Sequence, residues 1–182
     1  INIKNISSTA KPELLTSSKL EAQLNQSLAF VNGTASTFLK WVHNFKKDHR
    51  NKLPLGDQSF FQAAGGDPKI CYLHGYYDFS ENEYMEITTD VPDCEYWNFQ
   101  LENYWMESLD YRHYPIHINE SSAILNSDKT ITIAVSHFPI NINNNLITEG
   151  RNNGAMLLRW IGAKAHPIPE VEIKKLNSLE AG

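Results

Sequence analysis

Five acids crowd one short stretch of this chain: Asp93, Glu95, Glu102, Glu107 and Asp110. Two carboxyl groups facing one bond can serve as general acid and general base, as in glycoside hydrolysis. A run of acids is more commonly a solvated strand face and loop, and that is the expectation for this one. Seven histidines supply the other titrating groups, and His113 and His117 stand four apart, the spacing that puts two imidazoles on one helical face for a metal. Pro115 would break such a helix. An extended chain still puts both on one side, but His74 or His137 would have to furnish a third ligand. No metal and no cofactor is expected.

The commonest nucleophile and phosphate signatures are missing. There is no GxSxG elbow, no GxxxxGK[ST] loop and no GxGxxG turn, which removes the usual serine-hydrolase, nucleotide-triphosphate and dinucleotide readings. Cys71 and Cys94 have neither metal-ligand spacing nor the density of a disulfide scaffold, so both are expected as free structural thiols beside apolar neighbours.

Binding chemistry is better represented. Arg151, Asn152, Asn153 and Gly154 precede an apolar run that ends in Arg159 and Trp160, and forked donors near a glycine turn suit a carboxylate or sulfate. The alternative is that Arg159 pairs with one of the many acids while Trp160 packs an edge. Tyr96, Tyr104, Trp105, Tyr111 and Tyr114 exceed what one inward strand face can absorb. Rings flanked by amides and acids stack on sugar faces in many sandwiches. If a helix covers them instead, they form a second core layer. The candidate ligand-binding residues are Trp105, Glu107, Tyr111, Arg112, His113, Arg151, Asn153 and Arg159.

These residues need elements to hold them. Residues 1–17 are polar and aperiodic, a flexible leader. Leu20, Leu24, Leu28, Val31, Ala35, Leu39 and Val42 then recur at three- and four-residue steps, an amphipathic helix that Gly33 could divide and that should lie on a sheet. The helical region covers 18–60 and a β domain covers 61–182. Strands are expected at ICYLHGYY (70–77) and EYMEITT (83–89), joined as a hairpin by DFSEN. Further strands are expected at CEYWNFQLENY (94–104), SSAIL (121–125), TITIAVSH (130–137), AMLLRWI (155–161) and VEIKKL (171–176). In the third, Trp97, Phe99 and Leu101 alternate with Asn98, Gln100 and Glu102. Many strands without intervening helices argue for an antiparallel sandwich or barrel.

Charge limits the partners. Residues 1–60 carry a net +4 and residues 61–182 a net −9, so the β domain repels phosphates and nucleic acid is not expected as a partner. The basic run KKDHRNK (46–52) reads as cations at a helix C-terminus. No apolar run approaches the roughly 18 residues of a membrane span.

The ordered motifs GGDPKICYLHGYYDFSENEYMEI, YWNFQLENYWMESLDY, SDKTITIAVSH, NNLITEGRNNGAMLLRW and PIPEVEIKKL resemble the family catalogued as domain of unknown function 1214, over about residues 65–176. The resemblance implies a mainly β, antiparallel, jelly-roll-like β-sandwich, here with an N-terminal α-helical region packed on it. It implies no established reaction. One stretch departs from the family pattern of an Asp-Pro-Gly turn, then Asn-Trp-Leu, then Gly-His. Here stand Phe138, Pro139 and Ile140, then Asn144, Asn145 and Leu146, then Gly150 and Arg151, so an aromatic and a histidine are missing. The expected function is a small-molecule or saccharide binding module. The alternatives are an enzyme working through carboxylates, or a structural subunit held by a protein partner or a second copy. The compartment stays open.

Overall fold

A computed structural model describes residues 13–176, so most of the leader expected over 1–17 lies outside the described residues. The chain divides into two compact units between Ser36 and Thr37. Helix α1 (Ser17–Asp48) begins after Thr16, whose hydroxyl accepts from the Lys19 amide at 3.3 Å, and ends with Lys46 and Lys47 at its negative pole. Gly33 does not divide it. Nothing stands within 4 Å of a side chain placed there, and an interior glycine costs only about 1 kcal/mol in a helix this long. The expected apolar stripe behaves in two ways. Leu20, Leu24, Leu28 and Val31 are exposed, whereas Val42 and Phe45 are buried with Trp41 beside them. The short helix α2 (Gln58–Ala63) is capped by Asp57, which accepts from the Ser59 and Phe60 amides.

The remainder is two four-stranded sheets. One has the order β1-β7-β3-β4, built from β1 (Ile70–Asp78), β7 (Asn153–Ile161), β3 (Tyr96–Leu101) and β4 (His117–Asn119). The other has the order β6-β5-β2-β8, built from β6 (Asn145–Ile147), β5 (Thr130–Ser136), β2 (Glu83–Asp90) and β8 (Glu170–Lys175). Every ladder is antiparallel except β5 with β6. Residues of both sheets share one core, with Leu73, Trp97, Phe99, Leu158 and Trp160 from the first and Ile87, Ile131, Ile133 and Val135 from the second. Trp160, expected at an edge, is fully buried, and its indole N–H donates to the Pro167 carbonyl at 3.2 Å.

Three expectations are corrected. DFSEN does not close a hairpin: β1 pairs with β7 and β2 with β5 and β8, so the segment carries the chain from one sheet to the other. Its turn is closed by the Glu83 amide on the Ser80 carbonyl at 3.0 Å, and Phe79 is buried there. SSAIL is loop, because its hydrogen bonds close a local turn and go to side chains rather than to a strand: the Ser122 and Ala123 amides donate to the Asn119 carbonyl, the Ser121 amide donates to Asn119 Oδ1, and the Ile124 amide and carbonyl bond the Asn144 amide group. Strands β4 and β6 were not expected at all. Both are three residues long, too short to display a period.

Candidate functional site

Alternation along β1, β7 and β3 puts one set of side chains inward and the other on the opposite face of the sheet. The register sets Tyr72 opposite Arg159, His74 opposite Leu157, and Asn98 and Gln100 opposite Arg159 and Leu157 from the other side. The outer face thus gathers Tyr72, His74, Leu157, Arg159, Gln100 and Glu102. The last turns of α1 and the whole of α2 lie over this face, where Val42, Phe45 and Phe61 bury against Tyr76 and Ala155. Between them is a pocket of about 440 Å³, walled by Phe38, Trp41, Phe61 and Tyr72 and floored by His74, Gln100, Glu102 and Arg159. That volume lies within the ordinary range for small-molecule sites.

Helix α2 is fixed to the sheet edge by one side chain. Gln58 accepts from the Tyr72 amide at 2.9 Å and donates to the Tyr72 carbonyl at 2.8 Å, filling the place of a neighbouring strand on β1. Gly66, at the pocket rim, lets the chain turn back closely on the end of α2, since a Cβ there would stand 2.8 Å from the Phe61 carbonyl oxygen. His49, just past α1, donates from Nδ1 to the His74 carbonyl at 3.0 Å and tethers that helix in turn.

The polar floor forms a chain. An Arg159 N–H donates to Gln100 Oε1 at 3.1 Å, and Gln100 Nε2 donates to Glu102 Oε1 at 2.5 Å. Glu102 is 3% exposed, and its second oxygen, Oε2, has no hydrogen-bond partner among the described residues. Buried groups left in that state are uncommon and costly. Desolvation pushes the Glu102 carboxyl up to about 7, against the opposing pull of the Gln100 hydrogen bond and the Arg159 charge. His74 is 5% exposed, and its Nδ1 is likewise unpartnered. Its ring stacks on Phe45 at 4.9 Å and packs against Phe61 at 4.6 Å, and burial, with Arg159 and His49 nearby, brings it down to about 3. The floor therefore combines an imidazole that burial holds neutral, a carboxyl whose protonated form burial favours, an amide and a guanidinium. It offers donors, acceptors and a proton source beneath a wall of rings.

The residues singled out in the sequence divide. Arg159 lines the pocket, as does Glu102, whose run was expected to be solvated surface; its 3% exposure corrects that expectation for this one acid. Trp105, Glu107, Tyr111, Arg112 and His113 lie elsewhere, in an exposed segment organised by Asn103. Asn103 Oδ1 accepts from the Trp105 and Glu107 amides, and its Nδ2 donates to Glu107 Oε2 at 2.8 Å. Trp105 and Tyr111 are 54% and 64% exposed. Arg112 pairs with Asp110 at 3.2 Å, and Arg151 pairs with Glu149. Asn153 accepts from the Tyr76 hydroxyl at 2.7 Å. Of the surplus rings, Tyr104 packs edge-on to Tyr76 at 6.3 Å and joins the covered layer, while Trp105, Tyr111 and Tyr114 remain exposed.

Trp41, Phe61, Tyr72 and Met106 were not singled out as site residues. The one signal that pointed to them was an apolar helix requiring a surface to lie on. His113 and His117 do not meet a third ligand: no group of three His, Cys, Asp or Glu side chains is gathered among the described residues. Cys71 and Cys94 are free thiols. No helix among the described residues is long and apolar enough to cross a membrane.

With known proteins the comparison is sparse. No protein-family model matches the chain, and no curated protein does. It is similar in structure to an uncharacterised protein from Burkholderia cenocepacia, with a TM-score of 0.88 and 38% identity over 93% of this chain and 47% of that one. A protein from Vibrio parahaemolyticus superposes with a TM-score of 0.49 at 14% identity, over 90% of this chain and 47% of that one. The chain thus spans about half the length of each.

Proposed function

We propose that this chain is a small-molecule-binding module whose ligand occupies the pocket between the β1-β7-β3 face and helices α1 and α2. One observation carries the proposal: a carboxyl group, buried to 3% exposure, keeps an unpartnered oxygen at the pocket floor. A buried acid without a partner is an expense to the fold, and a ligand would supply the missing bond. The rings of Trp41, Phe61 and Tyr72 suit the flat apolar side of a cyclic ligand, saccharide or aromatic, while Gln100, Glu102 and Arg159 suit its polar edge.

A thermal-shift screen with benzoate, benzylamine and methyl glucopyranoside tests this. At least one probe should raise the melting temperature of the native chain. The gain should disappear in Ala64→Trp, which places an indole at the exposed pocket rim. No shift with any probe, or a shift untouched by Ala64→Trp, would remove the pocket reading.

A second reading is favoured by the shifted carboxyl. An acid poised near 7 in the same pocket as a neutral imidazole is what general acid and base catalysis uses, so the same pocket would serve an enzyme acting on a polar or carbohydrate-like substrate. Turnover abolished by Glu102→Gln with binding retained would select it.

We further propose that the two sheets form a jelly-roll-like sandwich and that the chain belongs with domain of unknown function 1214. The ladders support the first point, because β1 with β7, β2 with β5 and β3 with β4 are nested in sequence and alternate between sheets, as in a rolled-up hairpin. The ordered motifs support the second.

A further inference from the structure

We propose that the ligand of this pocket is an organic anion, a carboxylate on a ring or similar flat body, with its carboxylate held by Arg159 and Glu102 and its ring among Trp41, Phe61 and Tyr72. The inference rests on the pocket reading and deepens it by fixing the charge of the ligand.

The Arg159, Gln100 and Glu102 chain carries the inference. Arg159 forms no ion pair with any carboxylate among the described residues, although Glu102 lies two hydrogen bonds away. The Gln100 amide stands between them, its oxygen turned to the guanidinium and its N–H to the carboxylate oxygen. A direct pair would neutralise both groups. The amide spacer instead leaves Arg159 with a charge uncompensated at contact and Glu102 with a free oxygen able to carry a proton. Arg159 spends one donor group on Gln100, and the rest of its fork is available for a carboxylate.

Other ligand charges fit worse. A cation would meet Arg159 directly. A neutral ligand would leave a half-buried guanidinium without a counter-ion, the costly arrangement for a buried charge. Among the pocket-lining side chains, Arg159 is the one permanently charged group: Glu102 titrates near neutrality and His74 is neutral. An anion brought against Glu102 favours its protonated form, so binding takes up a proton. Arg159 opposes protonation of that carboxyl in the empty pocket, and an anion bound to the guanidinium offsets that pull. Arg159 and His74 share its sheet face, the Tyr77 hydroxyl lies beneath and donates to the Glu102 carbonyl at 3.3 Å, and Lys46 of α1 sits over the Tyr76 and Tyr104 rings.

The test titrates the native chain with benzoate, and separately with benzamide, benzylamine and methyl glucopyranoside, by calorimetry at pH 6 and pH 8. Benzoate should bind with a Kd on the order of millimolar, as befits so small a probe. Benzamide and benzylamine should bind about tenfold more weakly or not at all. Benzoate affinity should fall severalfold from pH 6 to pH 8 in the native chain and stay level in Glu102→Gln. Arg159→Gln should lose about tenfold, and Arg159→Lys, which keeps the charge but not the fork, should fall between. Should Arg159→Gln not fold, the benzoate and benzamide comparison on the native chain decides alone. Equal binding of benzoate and benzamide, or tighter binding of benzylamine or the glucoside, overturns the anion proposal and leaves the pocket standing. Failure of all four probes overturns the pocket reading itself.

Discussion

The two faces of the β1-β7-β3 sheet are made from the same strands by alternate residues, yet they answer to different physics. Inward, Leu73, Trp97, Phe99, Leu158 and Trp160 bury against the second sheet and leave no unpartnered polar atom, the Trp160 indole being met by the Pro167 carbonyl. Outward, Tyr72, His74, Gln100, Glu102 and Arg159 lie under helices that cover them only in part. The inner face is complete as it stands, while the outer face holds unpartnered atoms on Glu102, His74 and Asn98. Incomplete satisfaction on one side of an otherwise finished sheet marks where a site is built.

Substitutions should separate the faces by magnitude. Truncating the inner face is the largest effect: Phe99→Ala, at a fully buried ring, should cost about 3–5 kcal/mol in denaturant unfolding. A loss below about 1 kcal/mol would mean that the shared core is not what joins the sheets.

Next comes the pH dependence of the outer face. The Glu102 carboxyl is raised in the folded state from 4.5 to about 7, so the folded chain holds that proton more tightly. Its stabilising contribution is complete below pH 4.5 and is lost as pH rises through 7, by about 3 kcal/mol in all. His74 is depressed from 6.5 to about 3, so its contribution is present above 6.5 and is lost as pH falls toward 3. The two oppose each other between 4.5 and 6.5, giving a plateau with losses on either side. In Glu102→Gln the loss toward pH 7 should vanish while the acid limb remains, as read by urea unfolding across the pH range. A loss toward pH 7 that persists in the variant assigns it to another group.

Smaller still is Gly154→Ala. A Cβ there would stand 2.3 Å from the Glu102 carbonyl oxygen and 2.4 Å from the Tyr77 hydroxyl, so β7 and its neighbours must shift. The expected cost is about 1–3 kcal/mol, and because the Glu102 backbone moves with it, the plateau should narrow. Smallest is Trp105→Ala. Its indole is more than half exposed, so stability should change by less than about 0.5 kcal/mol and probe binding not at all. A loss of binding in that variant would return the site to the exposed segment.

These differences also explain what the sequence disclosed. The inner face was legible because Trp97, Phe99 and Leu101 alternate strictly, and period 2 needs only local information. Arg159 was identifiable by type, and the lower end of the helical stripe by its period. Glu102 was not, since Asn98, Gln100 and Glu102 alternate as a solvated face does, and nothing local tells that it will be buried in the floor of a pocket. The pocket draws one or two residues from each of five elements, α1, α2, β1, β3 and β7, joined by ladders that pair residue 72 with 159 and residue 100 with 157. Such a site has no spacing to find. The segment from Trp105 to His113 attracted notice for the converse reason: its residue types are rich in chemistry, but Asn103, Asp110 and Glu149 already engage its polar groups. The same blindness to pairing made DFSEN look like a hairpin.

The four tryptophans supply the most direct test, because they sample every region of the comparison. Trp41 walls the pocket, Trp97 and Trp160 are buried in the shared core, and Trp105 stands exposed on the segment that drew attention first. Nitrogen-15 spectra of the four indole N–H groups, recorded as benzoate is added, report all of these places at once. The Trp41 signal should move and saturate while those of Trp97, Trp160 and Trp105 hold still. Movement of Trp105 with Trp41 unchanged, or no movement in any of the four at saturating benzoate, would contradict a binding pocket on the outer face of the sheet.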